Sequence, residues 1–346
     1  MNTYDHFSDL ISKPIKIAQF SFDENGKILE DSEKNKMYLY DPILKKKKLS
    51  IDLKENFENY EHSIIRYKQL FRSNMLLHFK NINKLKSIKE NMNGADFFIT
   101  RGTLLSLAGA YSDPLNTVNV YWAFNIDNVI IIASKIQRKD GNLLGSYSGL
   151  NFETKITTDK DNIGNIKNKS VLTWDQYKEV YSVDFPMPDG KIIKVAYSCE
   201  IDAFDRVTNT PIEIKTKFTT SKSPHGTIFT GRRDLSIYLS CLIGNVQNIV
   251  IGYKEANYIV SKIEKISPNI LCNDEIYYNA RLCFLKLKRN LSFIMEAINK
   301  QRSSLKCLKI IGDADCNVLS FKCFNTITDE VRELFNDEFN HGILVE

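Results

Sequence analysis

Seven cysteines, five histidines and no long apolar run set the first limits on this chain of 346 residues. The cysteines, at positions 199, 241, 272, 283, 307, 316 and 323, are odd in number and form no Cys-x-x-Cys pair. That argues against a disulfide framework and for reduced thiols in the nucleus or cytoplasm. Dispersed histidines disfavour a zinc site. Val129-Ile-Ile-Ile-Ala133 is far too short to span a membrane and reads as a buried strand. The N-terminus shows no basic region followed by an apolar one, so no secretory signal is visible. Internal repeats and low-complexity linkers are also missing. The expectation is an intracellular protein without membrane contact, folded as one domain over residues 1–346.

What is present is ordinary in bulk: 43% hydrophobic and 26% charged residues, with 47 basic against 42 acidic side chains. The resulting +5 permits nucleic-acid binding without requiring it. Four consecutive lysines, Lys45 to Lys48, read as a solvated loop in preference to an import or RNA-contact patch. Helical spacing runs from about residue 55 to 88, and residues 97–100 form a short strand leading into Arg101-Gly102 and a helix. Residues 118–124 and 128–133 suggest a hairpin, 232–242 a helix, 249–253 and 258–262 paired strands, and 275–300 a long amphipathic helix. Residues 160–170 and 219–226 read as loops. The last forty residues carry no clear pattern. This mixture implies an α+β fold, with mixed β-sheets flanked by helices.

Chemistry concentrates in two short segments, Glu200-Ile-Asp202 and Glu213-Ile-Lys215. Side chains alternate along a strand, so Glu200 and Asp202 share a face, as do Glu213 and Lys215. Residues 194–204 and 211–216 read as two strands of a hairpin, with Asn209 and Pro211 marking the turn. Such a hairpin projects three acids and a lysine into one pocket. Clustered carboxylates repel unless protonated or bridged by cations. Oxygen donors beside a lysine suit Mg2+ or Mn2+ and a phosphate ester.

The Asp202…Glu213-Ile-Lys215 element resembles the signature of the PD-(D/E)XK nucleases. With Arg101 after its apolar strand and Gly149-Leu-Asn-Phe-Glu153 further on, the ordered set resembles the decapping-exoribonuclease (DXO) family, which includes the fungal partner of the nuclear 5′–3′ exonuclease. Residues 246–254 resemble a further family segment, so the likeness covers about 95 to about 300. It implies that Glu153, Asp202 and Glu213 bind one divalent ion with the Ile214 carbonyl, and that Glu200, with Glu213, helps hold a second. Lys215 is expected to donate to the phosphate, because neighbouring carboxylates raise a lysine pKa and disfavour the neutral base. Arg101 is expected to contact a phosphate, and Lys217, Lys222, Arg232 and Arg233 are candidate guides for RNA. Tyr238 reads as core and Asp205 as structural. One departure stands out: the family's glutamine in the helix after the lysine strand corresponds to Ser240, which is too short to span the same gap.

The implied activity is metal-dependent hydrolysis at RNA 5′ ends. It includes removal of incomplete or non-canonical caps such as unmethylated guanosine or NAD caps, 5′-triphosphate pyrophosphohydrolase activity and 5′–3′ exoribonuclease activity. Its cofactor would be one or two Mg2+ or Mn2+ ions and its partners RNA 5′ ends, with a 5′–3′ exonuclease as a further partner. Two alternatives stay open: a DNA nuclease of the wider superfamily, and a non-catalytic scaffold that binds RNA ends or stabilises an exonuclease.

Overall fold

A computed structural model describes residues 6–29, 33–60, 64–110, 118–134, 143–162, 171, 176–219, 228–229, 231–300 and 306–342. Among them the strands are β1 (Ile15–Ser21), β2 (Tyr38–Leu39), β3 (Ile51–Asp52), β4 (Phe97–Thr100), β5 (Val118–Ile126), β6 (Val129–Ser134), β7 (Thr157–Thr158), β8 (Tyr177–Pro186), β9 (Ile192–Glu200), β10 (Ala203–Phe204), β11 (Pro211–Phe218), β12 (Asn248–Lys254), β13 (Ile259–Ile266), β14 (Cys307–Asp313) and β15 (Leu319–Phe324). The helices are α1 (Ile64–Asn81), α2 (Ile88–Asn91), α3 (Arg101–Leu107), α4 (Leu143–Ile156), α5 (Gly231–Ile243), α6 (Asp274–Lys300), α7 (Asp329–Arg332) and α8 (Asp337–Gly342). Two mixed sheets result, ordered β1-β8-β9-β4-β6-β5-β14-β15 and β3-β13-β12-β11-β10-β2-β7. The class is α+β, as the patterning implied.

Local chemistry explains the joints that place the site. Thr100 ends β4 and its hydroxyl accepts the Thr103 amide at 3.3 Å, so α3 begins directly at Arg101 without a loop. Asp127 and Asn128, at φ 47° and 65°, close the β5–β6 hairpin with the left-handed pair that matches strand twist. Along α6, Ile276, Ala280, Cys283, Leu287, Leu291, Ile294 and Ile298 recur every three or four residues and are buried. The largest core cluster joins Tyr197 and Cys199 of β9, Ile249 and Ile251 of β12, and Leu104, Leu239 and Phe284 of α3, α5 and α6. Each large apolar side chain so buried stabilises by about 1.5–3 kcal/mol. The Tyr197 hydroxyl donates to the Ile243 carbonyl at 2.7 Å, tying β9 to the end of α5.

One expectation fails at the site itself. Residues 194–204 are not a single strand. β9 ends at Glu200 in the larger sheet, Ile201 and Asp202 cross, and β10 starts at Ala203 in the smaller sheet. Burial continues through the crossing, because Ile201 stays in the core, so the residue pattern carries no mark of it. The hairpin keeps only two pairs, Ala203 with Ile212 and Phe204 with Pro211. Asp205 is structural: its carboxylate accepts the Val207 and Thr208 amides at 3.0 and 2.9 Å and pairs with Lys265 at 2.6 Å. The helix expected from residue 55 is observed from Ile64 to Asn81, followed by the capped turn of α2. Lys45 to Lys48 are exposed, and Tyr238 is core. Most of the loops expected at 160–170 and 219–226 lies outside the described residues, as does Lys222. All seven cysteines are unpaired, and no helix among the described residues is long and apolar enough to cross a membrane.

Candidate active site

The expected acids gather where the β10–β11 hairpin opens. Because β10 is only two residues long, β11 has no backbone partner among the described residues beyond Ile212 on that side. The N–H and C=O of one strand residue point to the same side, so both polar groups of Ile214 face the gap. Asp202 fills half of it, its Oδ2 accepting the Ile214 amide at 2.7 Å. Lys215 fills the other half, its Nζ donating to the Ile214 carbonyl at 2.9 Å. The same ammonium lies 2.5 Å from Glu213 Oε1 and 3.6 Å from Asp202 Oδ2. Three oxygens expected to ligate a metal therefore already converge on one cation.

Arg101, delivered by the capped β4–α3 junction, reaches the far side of Glu213, with Nη1 3.3 Å from Oε2. Glu200 closes β9 opposite Lys178 of β8, at 3.6 Å. Glu153 comes from the last turn and a half of α4 and joins the same electrostatic group as Asp202, Lys215, Glu200 and Glu213. Burial, and then Asp202, push the Glu153 carboxyl well above the usual carboxylate range. Burial and Glu213 likewise raise Asp202 to about 6. Burial would raise Glu213 too, but Lys215 and Arg101 outweigh it and hold that carboxyl at about 2. For Lys215, burial opposes the charge, yet Glu213, Asp202 and Glu153 prevail and keep the ammonium firmly protonated. A lysine so held keeps its protons to donate and is disfavoured as a base.

The donor set is carboxylate and carbonyl oxygen, which suits a hard divalent ion. Among the described residues no three acidic, imidazole or thiol side chains are already gathered as an ion would hold them. The convergence of Glu213, Asp202 and Ile214 on the Lys215 ammonium nonetheless fits a cation site, and the raised Glu153 and Asp202 carboxyls fit a site short of positive charge.

The remaining candidates divide. Ser240 is buried in α5, and Gly244, one turn later, abuts Arg101: a Cβ on Gly244 would lie 2.8 Å from the Ser240 carbonyl and 3.1 Å from Arg101 Nη1. Lys217 is turned to the Ile228 carbonyl. Arg232 pairs with Asp315 at 2.9 Å, and Arg233 lies over the Phe229 ring at 4.6 Å. Sequence reasoning missed Lys178. Its strand, β8, is buried on both faces over much of its length, and nothing local to Tyr177–Pro186 indicates that Lys178 faces Glu200.

The sequence matches the family model of RAI1-like PD-(D/E)XK nucleases over residues 12–340. The chain belongs to that family. A search of curated proteins found no match. Among solved structures, Scheffersomyces stipitis Rai1 in complex with (3′-NADP)+ and calcium superposes with a TM-score of 0.69 at 15% identity, covering 96% of this chain and 97% of that one. Schizosaccharomyces pombe Rai1 in complex with 3′-FADP gives 0.65 at 18% identity, covering 91% and 94%. Candida albicans Rai1 in complex with pU5-Mn2+ gives 0.65 at 16%, covering 96% and 94%. The RAI1-like fold thus extends over nearly the whole of both chains in each comparison.

Proposed function

We propose that this RAI1-like nuclease is a divalent-metal-dependent hydrolase of RNA 5′ ends that removes incomplete or non-canonical caps. The observation that carries the reading is the convergence of Asp202, Glu213, the Ile214 carbonyl and Lys215 in the fork of the hairpin, with Glu153 and Arg101 alongside. Relatives of the same fold that bind 3′-FADP, (3′-NADP)+ and pU5-Mn2+ support nucleotide 5′ ends as the ligand class and Mn2+ or Mg2+ as the ion. Glu153, Glu200, Asp202, Glu213 and the Ile214 carbonyl would hold one or two ions. When bound, such ions lower the pKa of water and neutralise charge on phosphate oxygens.

The chain's own groups supply the rest. Lys215, locked in its charged form, donates to a phosphate oxygen. Arg101 offers a planar guanidinium at the start of α3, suited to a terminal or scissile phosphate. Ser240 in place of the family's glutamine gives a shorter reach toward RNA, altering grip or cap preference while hydrolysis survives. The family likeness also supports a 5′–3′ exonuclease partner and a nuclear or cytoplasmic setting.

The test is incubation of a panel of 5′-modified RNAs (unmethylated guanosine cap, NAD cap, triphosphate, monophosphate) with Mg2+ or Mn2+, identifying the released nucleotide by mass. Release of a cap nucleotide that stops with EDTA and with Glu213→Ala is the expected result. A protein inert on the whole panel would refute the reading. Equal cleavage of DNA duplexes would favour the wider nuclease class.

A further inference from the structure

Glu153 differs from the other acids in its support. Glu200, Asp202 and Glu213 belong to strands or to the crossing between them, whereas Glu153 rides on α4, which must be set against the smaller sheet by packing. Two residues of β12 provide the seat. In the parallel β11–β12 register, Ile214 pairs with Val250 and Thr216 with Gly252. Val250, Gly252 and Lys254 therefore share the face on which Ile212, Ile214, Phe152 and Ile156 form a core cluster.

Gly252 lies directly under Phe152, the residue before Glu153. A Cβ built there would clash with the Phe152 Cζ atom and lie 2.7 Å from Cε1 and 2.8 Å from Cε2. The ring thus rests on bare backbone, and no other amino acid permits that approach. Phe152 is fully buried in a cluster with Ile156, Ile214 and Val250, so its ring can retreat only by disturbing that packing. Lys254, two residues on, is buried as well, and its Nζ donates to Ser148 Oγ of α4 at 2.9 Å. The ammonium also lies 4.6 Å from the ring centroids of both Phe218 and Tyr258. Burial, aided by Arg233, lowers its pKa to about 8. Burying an amine without a carboxylate is costly, so this hydrogen bond is one the fold keeps at a penalty.

The two contacts match in spacing. Ser148 and Phe152 are four residues apart, about 6 Å along a helix. Gly252 and Lys254 are two residues apart, about 6–7 Å along a strand. Together with the bonds of Tyr147, Asn151 and Lys155 to Glu55 and the direct run of α4 into β7, paired contacts at this spacing help set the height and the rotation of α4. We infer that Gly252 and Lys254 are positioning residues that set how far Glu153 reaches into the carboxylate cluster, and hence how tightly the site takes a divalent ion. This rests on the reading of Glu153 as a metal ligand.

The experiment is Mn2+ titration by calorimetry on the wild-type protein, Glu153→Gln, Gly252→Ala, Lys254→Met and the double variant Gly252→Ala/Phe152→Leu, with urea midpoints and kcat and KM on a capped RNA. Gly252→Ala and Lys254→Met should each weaken Mn2+ binding by about 10- to 100-fold, the range for groups that orient metal ligands, and lower kcat with KM within about twofold. Shortening Phe152 should restore much of the affinity lost in Gly252→Ala, and the affinity should fall by more than the urea midpoints account for. If Gly252→Ala fails to fold, Lys254→Met carries the test. Wild-type Mn2+ affinity in Lys254→Met, with Glu153→Gln impaired, overturns the inference alone. Wild-type affinity in Glu153→Gln overturns the ligand reading beneath it.

Discussion

Replacing Asp202 by asparagine should stabilise the metal-free protein at neutral pH while abolishing its response to Mn2+. Burial and the adjacent Glu213 raise the Asp202 carboxyl from an ordinary aspartate value to about 6. A group whose pKa is raised by folding favours the native state below the unfolded pKa, about 3.9. That contribution disappears as pH rises through about 6, leaving an ionised, poorly compensated carboxylate. A difference of about two pH units corresponds to about 3 kcal/mol, an upper figure for carboxylates that titrate together. The amide introduced by Asp202→Asn keeps an oxygen to accept the Ile214 amide, now 2.7 Å from Asp202 Oδ2, so the backbone need not lose its partner. Urea denaturation in EDTA at pH 4, 6 and 8 reads the effect. The variant should gain about 1–3 kcal/mol over wild type at pH 8 and little at pH 4. Added Mn2+ should raise the wild-type midpoint and leave the variant unmoved. A variant less stable than wild type at pH 8 without metal would refute the argument, because it would mean that Asp202 is held by attraction and not crowded by its neighbours.

Other outcomes follow from the same geometry. Lys215→Met should reduce kcat by about 100-fold or more with Mn2+ binding retained by calorimetry; loss of metal binding would contradict a donor role. Asp205 has its carboxyl held at about 2 because Lys265 and the Thr208 and Val207 amides outweigh burial. Its contribution is therefore present above the ordinary carboxylate pKa and lost as pH falls toward 2. Asp205→Ala should cost about 2–3 kcal/mol at pH 7 in urea denaturation, with the difference shrinking toward pH 2. Ser240→Gln, placed in a buried turn of α5, should cost about 1–3 kcal/mol by overpacking and shift RNA affinity or cap preference. Unchanged affinity and preference would remove the significance of the serine.

Elements with strong local signals were readable from the residues alone. The β5–β6 hairpin, the apolar run of β6, the four-residue β4 and the long stripe of α6 each carry a period or a stop that neighbours do not override, although the turn read at residues 125–127 sits at Asp127 and Asn128. β8, β14 and β15 were not anticipated. In β15 the residues Leu319-Ser-Phe-Lys-Cys-Phe324 alternate apolar and polar, although solvent faces much of the strand. The crossing at Ile201–Asp202 was invisible for a different reason. Both sheets bury this segment, so the residue types on either side of the crossing are the same whether the strand continues or changes partner.

The sequence by itself determined the chemistry: which acids, which lysine and which arginine occur, in what order, and hence a hard-ion, phosphate-directed site. Those properties are covalent and travel with the residues. Tertiary structure alone decided that β10 stops after two residues and leaves both polar groups of Ile214 facing the gap, and that Lys178 answers Glu200. It also decided that Phe152 rests on Gly252 to aim Glu153. Each depends on contacts between segments far apart in the chain, which no local pattern encodes.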